Sequence, residues 1–197
     1  MRTKQEWSED QVWERKSWGD NLDLNCGEAN KQIHYANLMK INIPYDAKNK
    51  SIIDFGCGPV SMLLRVENCK NAVGIEPIDY GENVNKRYQE KKIKILQLPI
   101  EEYEQDSNFL YDEAWMYNVL QHVIDPVVCL QKINKAAKTI RIFEWIDMPS
   151  SPGHPHVITK QMMIENLELK ESEYFIVDLN ENELCGKAII VLKNSNL

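Results

Sequence analysis

From Ser51 onward, short apolar segments alternate with segments of helical pattern, and this alternation constrains the fold more than any other feature of the sequence. The apolar segments predict strands at residues 51–55, 72–76, 93–96, 112–119 and 139–146. Helices are predicted at about 60–66, 81–90, 126–137 and 160–170, the last two capped by Asp125 and Thr159. Two closing strands, 174–179 and 188–192, are joined by a turn at 180–183 with no helix between them. The pattern predicts an α/β fold with a largely parallel sheet, helices on both faces, and an antiparallel pair at one edge.

The overall charge and apolar content exclude several functional classes. The chain has 197 residues and a formal net charge of −7, which argues against binding to long nucleic acids or to an anionic membrane surface. No apolar run approaches the roughly 20 residues that cross a bilayer. Five scattered cysteines and a polar start instead of a secretory signal predict free thiols, no metal centre and a cytoplasmic protein. We expect a monomer or a homodimer.

The first fifty residues differ from the alternating region, because they are polar, compatible with helix and punctuated by Trp7, Trp13 and Trp18. The sequence therefore predicts two units, a helical N-terminal extension at residues 1–48 and a ligand-binding domain at residues 49–197. The tryptophans either form an aromatic lid over a ligand or pack in the core. Aromatic rows at helical spacing are more often core than ligand contacts.

A glycine turn, Asp54-Phe55-Gly56-Cys57-Gly58-Pro59, follows the first predicted strand. Ligands of parallel sheets bind at this carboxyl edge, and glycine permits both a positive φ angle and a close approach of the backbone to a ligand. Glu76 ends the next strand, about 20 residues further on, where nucleoside-binding folds place an acid on the ribose. Gly56, Gly58 and Glu76 together predict a nucleoside site.

Asp54 discriminates between nucleoside ligands. A carboxylate beside the turn would repel a pyrophosphate, but it suits a ligand with a cationic amino group. The dinucleotide fingerprint also needs a third glycine where this chain has Ser61. Both features favour S-adenosylmethionine over NAD.

At these residues the chain resembles the class I, Rossmann-like S-adenosylmethionine-dependent methyltransferases. Asp54-x-Gly56-x-Gly58 resembles the first motif of that family, and Glu76 resembles its ribose-binding acid. Residues 111–123 resemble its fourth strand and the turn at the methionine end, and Ile100-Glu101 resembles its adenine-side segment. The resemblance covers about residues 50–193, and Val60 departs from it where the family often has a third glycine.

The resemblance implies a seven-stranded, mainly parallel sheet whose last strand is antiparallel, and it favours a lid role for residues 1–48. Domain 49–197 would then bind S-adenosylmethionine. The residues expected to hold this cofactor are Asp54, Gly56, Gly58, Glu76, Glu101, Tyr117, Asn118 and Tyr35.

Three histidines are candidates for assisting methyl transfer. His122 follows the fourth strand and can take a proton near neutral pH, although it can equally orient the cofactor or cap the next helix. His154 and His156 lie in a proline-flanked loop after the fifth strand, which resembles a histidine loop of small-molecule methyltransferases. Either of them is a base or an acceptor contact, or both belong to local turn structure.

The expected function is S-adenosylmethionine-dependent methylation of a small-molecule acceptor at oxygen or nitrogen. Two alternatives stay open at this point. A non-catalytic, S-adenosylmethionine-binding regulatory protein would keep the same turn and acid. An NAD-dependent oxidoreductase would have to place a pyrophosphate beside Asp54.

Overall fold

The fold consists of five α-helices and a seven-stranded main sheet over the residues that the computed structural model describes, 3–181 and 184–194. The helices are α1 (Lys4–Trp18), α2 (Gly27–Leu38), α3 (Glu82–Glu90), α4 (Pro126–Ala136) and α5 (Lys160–Leu167). The strands of the sheet are β1 (Ser51–Phe55), β2 (Asn71–Ile75), β3 (Ile93–Leu96), β4 (Tyr111–Tyr117), β5 (Ala137–Ile146), β6 (Tyr174–Glu181) and β7 (Leu184–Asn194).

Side-chain caps fix where the helices begin. The Thr3 hydroxyl accepts the Glu6 N–H at the start of α1, and the Glu6 carboxylate accepts the Thr3 N–H in return. As predicted, Asp125 caps α4 with Pro126 in its first turn, and Thr159 caps α5. Across residues 3–181 and 184–194, no helix combines the length and the apolar character needed to span a membrane.

The strands lie in the order β3-β2-β1-β4-β5-β7-β6, and β7 runs antiparallel to both of its neighbours. The other pairs are parallel. The order reverses between β1 and β4, which makes the carboxyl ends of these two central strands the switch point where α/β sheets bind ligands. The predicted α/β, Rossmann-like sheet is confirmed. Part of the predicted turn at 180–183 lies outside the described residues.

The prediction of a helix at 60–66 is wrong, because the segment forms a single 3-10 turn, Met62–Arg65. The Ser61 hydroxyl accepts the Leu63 N–H and donates to the Asp54 carboxylate, which ties the start of the turn to β1. The chain then leaves helical geometry at Val66–Glu67 to pair with the two-residue strand Tyr45–Asp46. These long-range bonds override a local helical pattern.

The sheet is covered by a separate hydrophobic cluster on each face. One cluster joins Phe55 and Met116 of the sheet to Ile133 of α4. The other joins Trp115 and Phe143 to α2 and α3. The second N-terminal helix is therefore part of the core that covers the sheet, while α1 reaches the carboxyl edge of the strands.

Candidate active site

A cleft opens at the carboxyl edge of β1, β2 and β4 and is roofed by α1 and α2. It contains about 820 Å³ of atom-free space, counting the part that is open to solvent. The sheet side contributes the glycine turn, Glu76 and the loop after β4. Of the residues expected at the cofactor, those that line the cleft are Tyr35, Gly56, Gly58, Glu76, Glu101, Tyr117 and Asn118.

The glycine turn holds both glycines in left-handed geometry, with φ of +72° at Gly56 and +58° at Gly58. A Cβ on Gly56 would lie 2.5 Å from a methyl carbon of Val119, so the turn and the loop after β4 touch without room for a side chain. The Tyr88 hydroxyl of α3 donates to the Gly58 carbonyl at 2.6 Å and fixes the far side of the turn. The backbone here is therefore both exposed to the cleft and rigidly held.

Glu76 lies at the end of β2 and connects the second strand to the turn. Its carboxylate accepts the Gly58 N–H at 2.9 Å and the Ile78 N–H at 3.0 Å, one on each oxygen. Burial raises the pKa of this carboxyl to about 7, against the hydrogen bonds that lower it. Each oxygen keeps a lone pair, so the side chain can still accept bonds from a diol in the cleft.

Asp54 does not line the cleft, in contrast to the direct ligand contact expected from the sequence. It is fully buried, and its Oδ2 accepts bonds from the Ser61 hydroxyl at 2.6 Å and the Tyr117 hydroxyl at 2.9 Å. Burial raises its pKa to about 7. Its Oδ1 has no hydrogen-bond partner within the described part of the chain.

Two aromatic side chains stand where β4 and α2 face the cleft. Tyr117 turns its hydroxyl back to Asp54 and accepts the Met62 N–H, so its ring forms the wall. Tyr35 stacks on Phe143 with ring centroids 3.9 Å apart, which places α2 against the sheet. Burial raises the pKa of Tyr35 to about 12, so its hydroxyl stays protonated and able to donate.

Two carboxylates hold the loop at residues 118–125, which carries Asn118 in left-handed geometry. Glu144 of β5 is fully buried, and its Oε2 accepts the N–H groups of Val119 and Leu120 at 2.9 and 2.8 Å. At the other end, Glu101 accepts the N–H groups of Ile124 and Asp125. Glu101 therefore lines the cleft and shapes it. No sequence pattern singles out Glu144, which is a lone acid in an apolar strand.

His122 sits in the middle of that loop and lines the cleft. Its Nδ1 lies 2.9 Å from the Gly153 carbonyl, so this nitrogen carries the proton in the neutral ring. Burial lowers the pKa of the ring to about 4, which differs from the titration near neutral pH expected from the sequence. The backbone carbonyl of His122 accepts the indole N–H of Trp7 and the amide of Gln11, so this residue also docks α1.

The other two candidate histidines do not line the cleft. His156 binds the Val123 carbonyl through Nε2 at 2.8 Å, which anchors the loop that follows β5. His154 packs edge-on against His122, with ring centroids 4.5 Å apart, and also meets Trp13 edge-on, with centroids 6.2 Å apart. No group of three metal-binding side chains occurs among residues 3–181 and 184–194.

The roof of the cleft comes from one face of each N-terminal helix. The spacing of the lining residues is helical, and they are Trp7, Gln11, Glu14 and Trp18 on α1 and Glu28, Gln32 and Tyr35 on α2. Trp13 points elsewhere, against Gly153. The tryptophans were selected from the sequence, but Gln11 and Glu14 were missed. Both lie at helical steps of three or four residues between Trp7 and Trp18, so the spacing alone places them on the same face.

The lining fits an adenosyl ligand with a positive charge better than it fits a pyrophosphate. Within the described residues the cleft is lined by four glutamates and by no lysine or arginine. Glu76 offers acceptors for a ribose, and the glycine turn presents backbone without a Cβ. A pyrophosphate would find neither a cation nor the N-terminus of an α-helix, because a 3-10 turn follows the glycines.

The part of the chain that forms the carboxyl edge of the central strands matches a known protein family. Residues 53–139 match a family model described as a methyltransferase domain. Among curated proteins, none matches the sequence.

Solved structures share the fold over most of the chain. The N-methyltransferase NodS from Bradyrhizobium japonicum, in complex with S-adenosyl-L-homocysteine, is 15% identical, with a TM-score of 0.64 over 89% of this chain and 91% of that one. The 1,6-didemethyltoxoflavin-N1-methyltransferase from Burkholderia thailandensis, solved with its acceptor and S-adenosylhomocysteine, is 11% identical, with a TM-score of 0.64 over 100% and 92%. A chain of the complex between the Haloferax volcanii methyltransferase activator Trm112 and a methyltransferase is 11% identical, with a TM-score of 0.65 over 95% of this chain and 98% of that one.

Proposed function

Because the chain carries a class I S-adenosylmethionine-dependent methyltransferase domain, we propose that it methylates a small molecule at an oxygen or nitrogen atom. S-Adenosylmethionine is the cofactor, and when bound it supplies an electrophilic methyl group. The transfer needs a nucleophile held in line with that group, more than it needs a strong base.

The observation that carries the proposal is the bond between Glu76 and the glycine turn. The Gly58 N–H donates to the carboxylate at 2.9 Å, so the ribose acid and the glycines belong to one rigid unit facing the cleft. This unit stands at the switch point of the sheet, between β1 and β4. Chemistry, local geometry and position in the fold therefore agree on a nucleoside site.

A small acceptor is favoured by the roof of the cleft. In our proposal residues 1–48 close the cleft, with α1 as the lid and α2 as its support packed on the sheet, and 49–197 act as the cofactor-binding domain. Trp7 of α1 donates its indole N–H to the His122 carbonyl at 3.0 Å and so holds the lid against the loop after β4. A long polymer would have to displace this contact, and the net charge of −7 gives a nucleic acid no attraction to offset that cost.

The cleft residues divide into direct and indirect roles in this proposal. Gly56, Gly58, Glu76 and Asn118 contact the cofactor, with Tyr35, Tyr117 and Glu101 as walls. Asp54 acts through the Tyr117 hydroxyl, to which it is bonded. His122 orients the acceptor through its unprotonated Nε2, while His154 and His156 support the loops from outside the cleft.

Calorimetric titration with S-adenosylmethionine, S-adenosylhomocysteine and NAD tests the proposal. We expect binding of the first two and none of NAD. Binding of NAD without a response to either adenosyl compound would refute it. The protein is then incubated with S-adenosylmethionine and small-molecule extracts. Formation of S-adenosylhomocysteine indicates an enzyme, and its absence indicates a non-catalytic binding protein.

A further inference from the structure

Glu14 is a carboxylate in the cleft, and the neighbours that can balance its charge among the described residues are two histidines. The side chain is 19% exposed and lies on the same face of α1 as Trp7 and Trp18. Its oxygens contact the Trp18 indole N–H at 3.0 Å and the His122 Nδ1 at 3.5 Å. No lysine or arginine of the described residues pairs with it.

Neither His122 nor His154 supplies a positive charge near neutral pH, because burial lowers the pKa of both rings. The His122 Nδ1 binds the Gly153 carbonyl at 2.9 Å, and burial lowers the pKa of this ring to about 4, so it is neutral at pH 7. Burial also raises the pKa of Glu14 above its ordinary value, which is what an unbalanced carboxylate in a partly dry site shows. A ligand with a positive charge would restore the balance.

Gln32 on α2 provides a second, independent indication. Its Oε1 is buried and has no hydrogen-bond partner among residues 3–181 and 184–194, although the side chain lines the cleft. Buried acceptors nearly always have a hydrogen-bond donor in folded proteins. A ligand in the cleft that carries an N–H or O–H group would supply the donor that this oxygen lacks. Glu28 differs, because its carboxylate already holds Lys31 at 2.9 Å.

Resting on the methyltransferase function proposed above, we propose that the acceptor is a small molecule with a protonated amine, bound by Glu14 and Gln32 beneath α1. Its N–H groups satisfy the two acceptors, and the rings of Trp7 and Trp18 on the same helix face suit a cation. An acceptor with a carboxylate or a phosphate beside Glu14 would meet like charge, and no lysine or arginine of the described lining offsets it there. For transfer, the bound ammonium first loses one proton to solvent, which frees the nitrogen lone pair. This lone pair forms the nitrogen–carbon bond as the carbon–sulfur bond of the cofactor breaks, and the sulfur keeps the electron pair of the broken bond.

The test uses the full chain saturated with S-adenosylhomocysteine and two sets of probes of matched shape. The sets are benzylamine, benzyl alcohol and benzoate, and phenethylamine, 2-phenylethanol and phenylacetate. We expect an amine to bind at least about tenfold more tightly than its alcohol, with the carboxylates weakest. Glu14→Gln should weaken amine binding by a similar factor, whereas Glu9→Gln, the same change on the exposed side of α1, should not.

Affinity for S-adenosylhomocysteine is measured for each variant in the same calorimeter. Unchanged affinity in Glu14→Gln supports the proposal, whereas a parallel loss would assign Glu14 to the ammonium of the cofactor and overturn it. Carboxylates that bind as well as amines, amine binding that is indifferent to Glu14→Gln, or no amine binding at all would also overturn it. Wild-type protein that fails to bind S-adenosylhomocysteine would instead refute the methyltransferase function itself.

Discussion

Replacing Glu76 by glutamine should weaken cofactor binding and, at the same time, stabilise the free protein at pH 8. The carboxylate accepts one backbone N–H on each oxygen and lines the cleft. Glutamine keeps the shape but has one acceptor oxygen, and its NH₂ group must face one of those N–H donors. Losing charge-assisted bonds to a ribose costs about 1–3 kcal/mol, which raises the dissociation constant roughly 5- to 150-fold.

The effect on stability has the opposite sign. Burial raises the pKa of Glu76 from 4.5 to about 7, so the folded chain binds more protons than the unfolded chain between these values. The stability linked to this carboxyl is fully present below about pH 4.5 and is lost as the pH rises through about 7. The difference corresponds to about 3 kcal/mol of unfolding free energy, and it is offset in part by the about 1–3 kcal/mol that the donor–donor conflict costs, so the stabilisation at pH 8 is smaller than about 3 kcal/mol.

Two measurements check this prediction. Calorimetric titration with S-adenosylhomocysteine gives the affinity, and urea unfolding at pH 5 and pH 8 gives the stability. Glu82→Gln removes an exposed acid from the first turn of α3; it should leave the affinity unchanged and cost at most about 1 kcal/mol of stability. Wild-type affinity in Glu76→Gln would place the ribose acid elsewhere, and an unchanged pH slope of stability would show that Glu76 is not a buried carboxylate.

Three further changes test single contacts. Gly56→Ala places a methyl group 2.5 Å from Val119 in a residue with φ of +72°, so both a steric clash and backbone strain should lower the free energy of unfolding by about 1–3 kcal/mol in urea. Adding Val119→Ala should restore only the part of this loss that comes from the clash. Wild-type stability of Gly56→Ala would contradict the turn geometry. Because burial lowers the pKa of His122 to about 4, an NMR titration should show no midpoint above pH 5 for this ring. The His122 signal is assigned as the one that is missing from the spectrum of His122→Gln. His156→Ala removes the bond to the Val123 carbonyl and should cost about 1 kcal/mol of stability without changing the affinity for S-adenosylhomocysteine; weaker binding would place this ring in the cleft.

Most of the sheet could be predicted because its signals are local. The apolar runs of β1 to β5 and the caps Asp125 and Thr159 act within a few residues of the elements they define. The segment after the glycine turn could not be predicted in this way. Its 3-10 turn depends on Ser61 meeting Asp54, a residue on the preceding strand, and on a pairing with the segment at 45–46.

The residues of the candidate site also fall into those with a local sequence signal and those without one. Gly56, Gly58 and Glu76 were selected from the sequence because they follow the ends of strands, and all three line the cleft. Glu14 and Glu144 were missed, because an acid on a polar helix and an acid in a strand carry no signal of the group that they will meet. A helical wheel of α1 shows Glu14 on one face with Trp7 and Trp18, but it does not show that this face meets a cleft.

The sequence by itself determined the α/β alternation, the glycine turn and its distance to Glu76, because backbone freedom and strand length are properties of neighbouring residues. Tertiary structure alone decided which ionisable groups are buried and therefore have shifted pKa values. Burial removes water from Asp54, Glu76 and Glu144 and raises the pKa of each to about 7, and it lowers that of His122 to about 4. These shifts arise from packing by residues distant in the chain, so no local pattern could have indicated them.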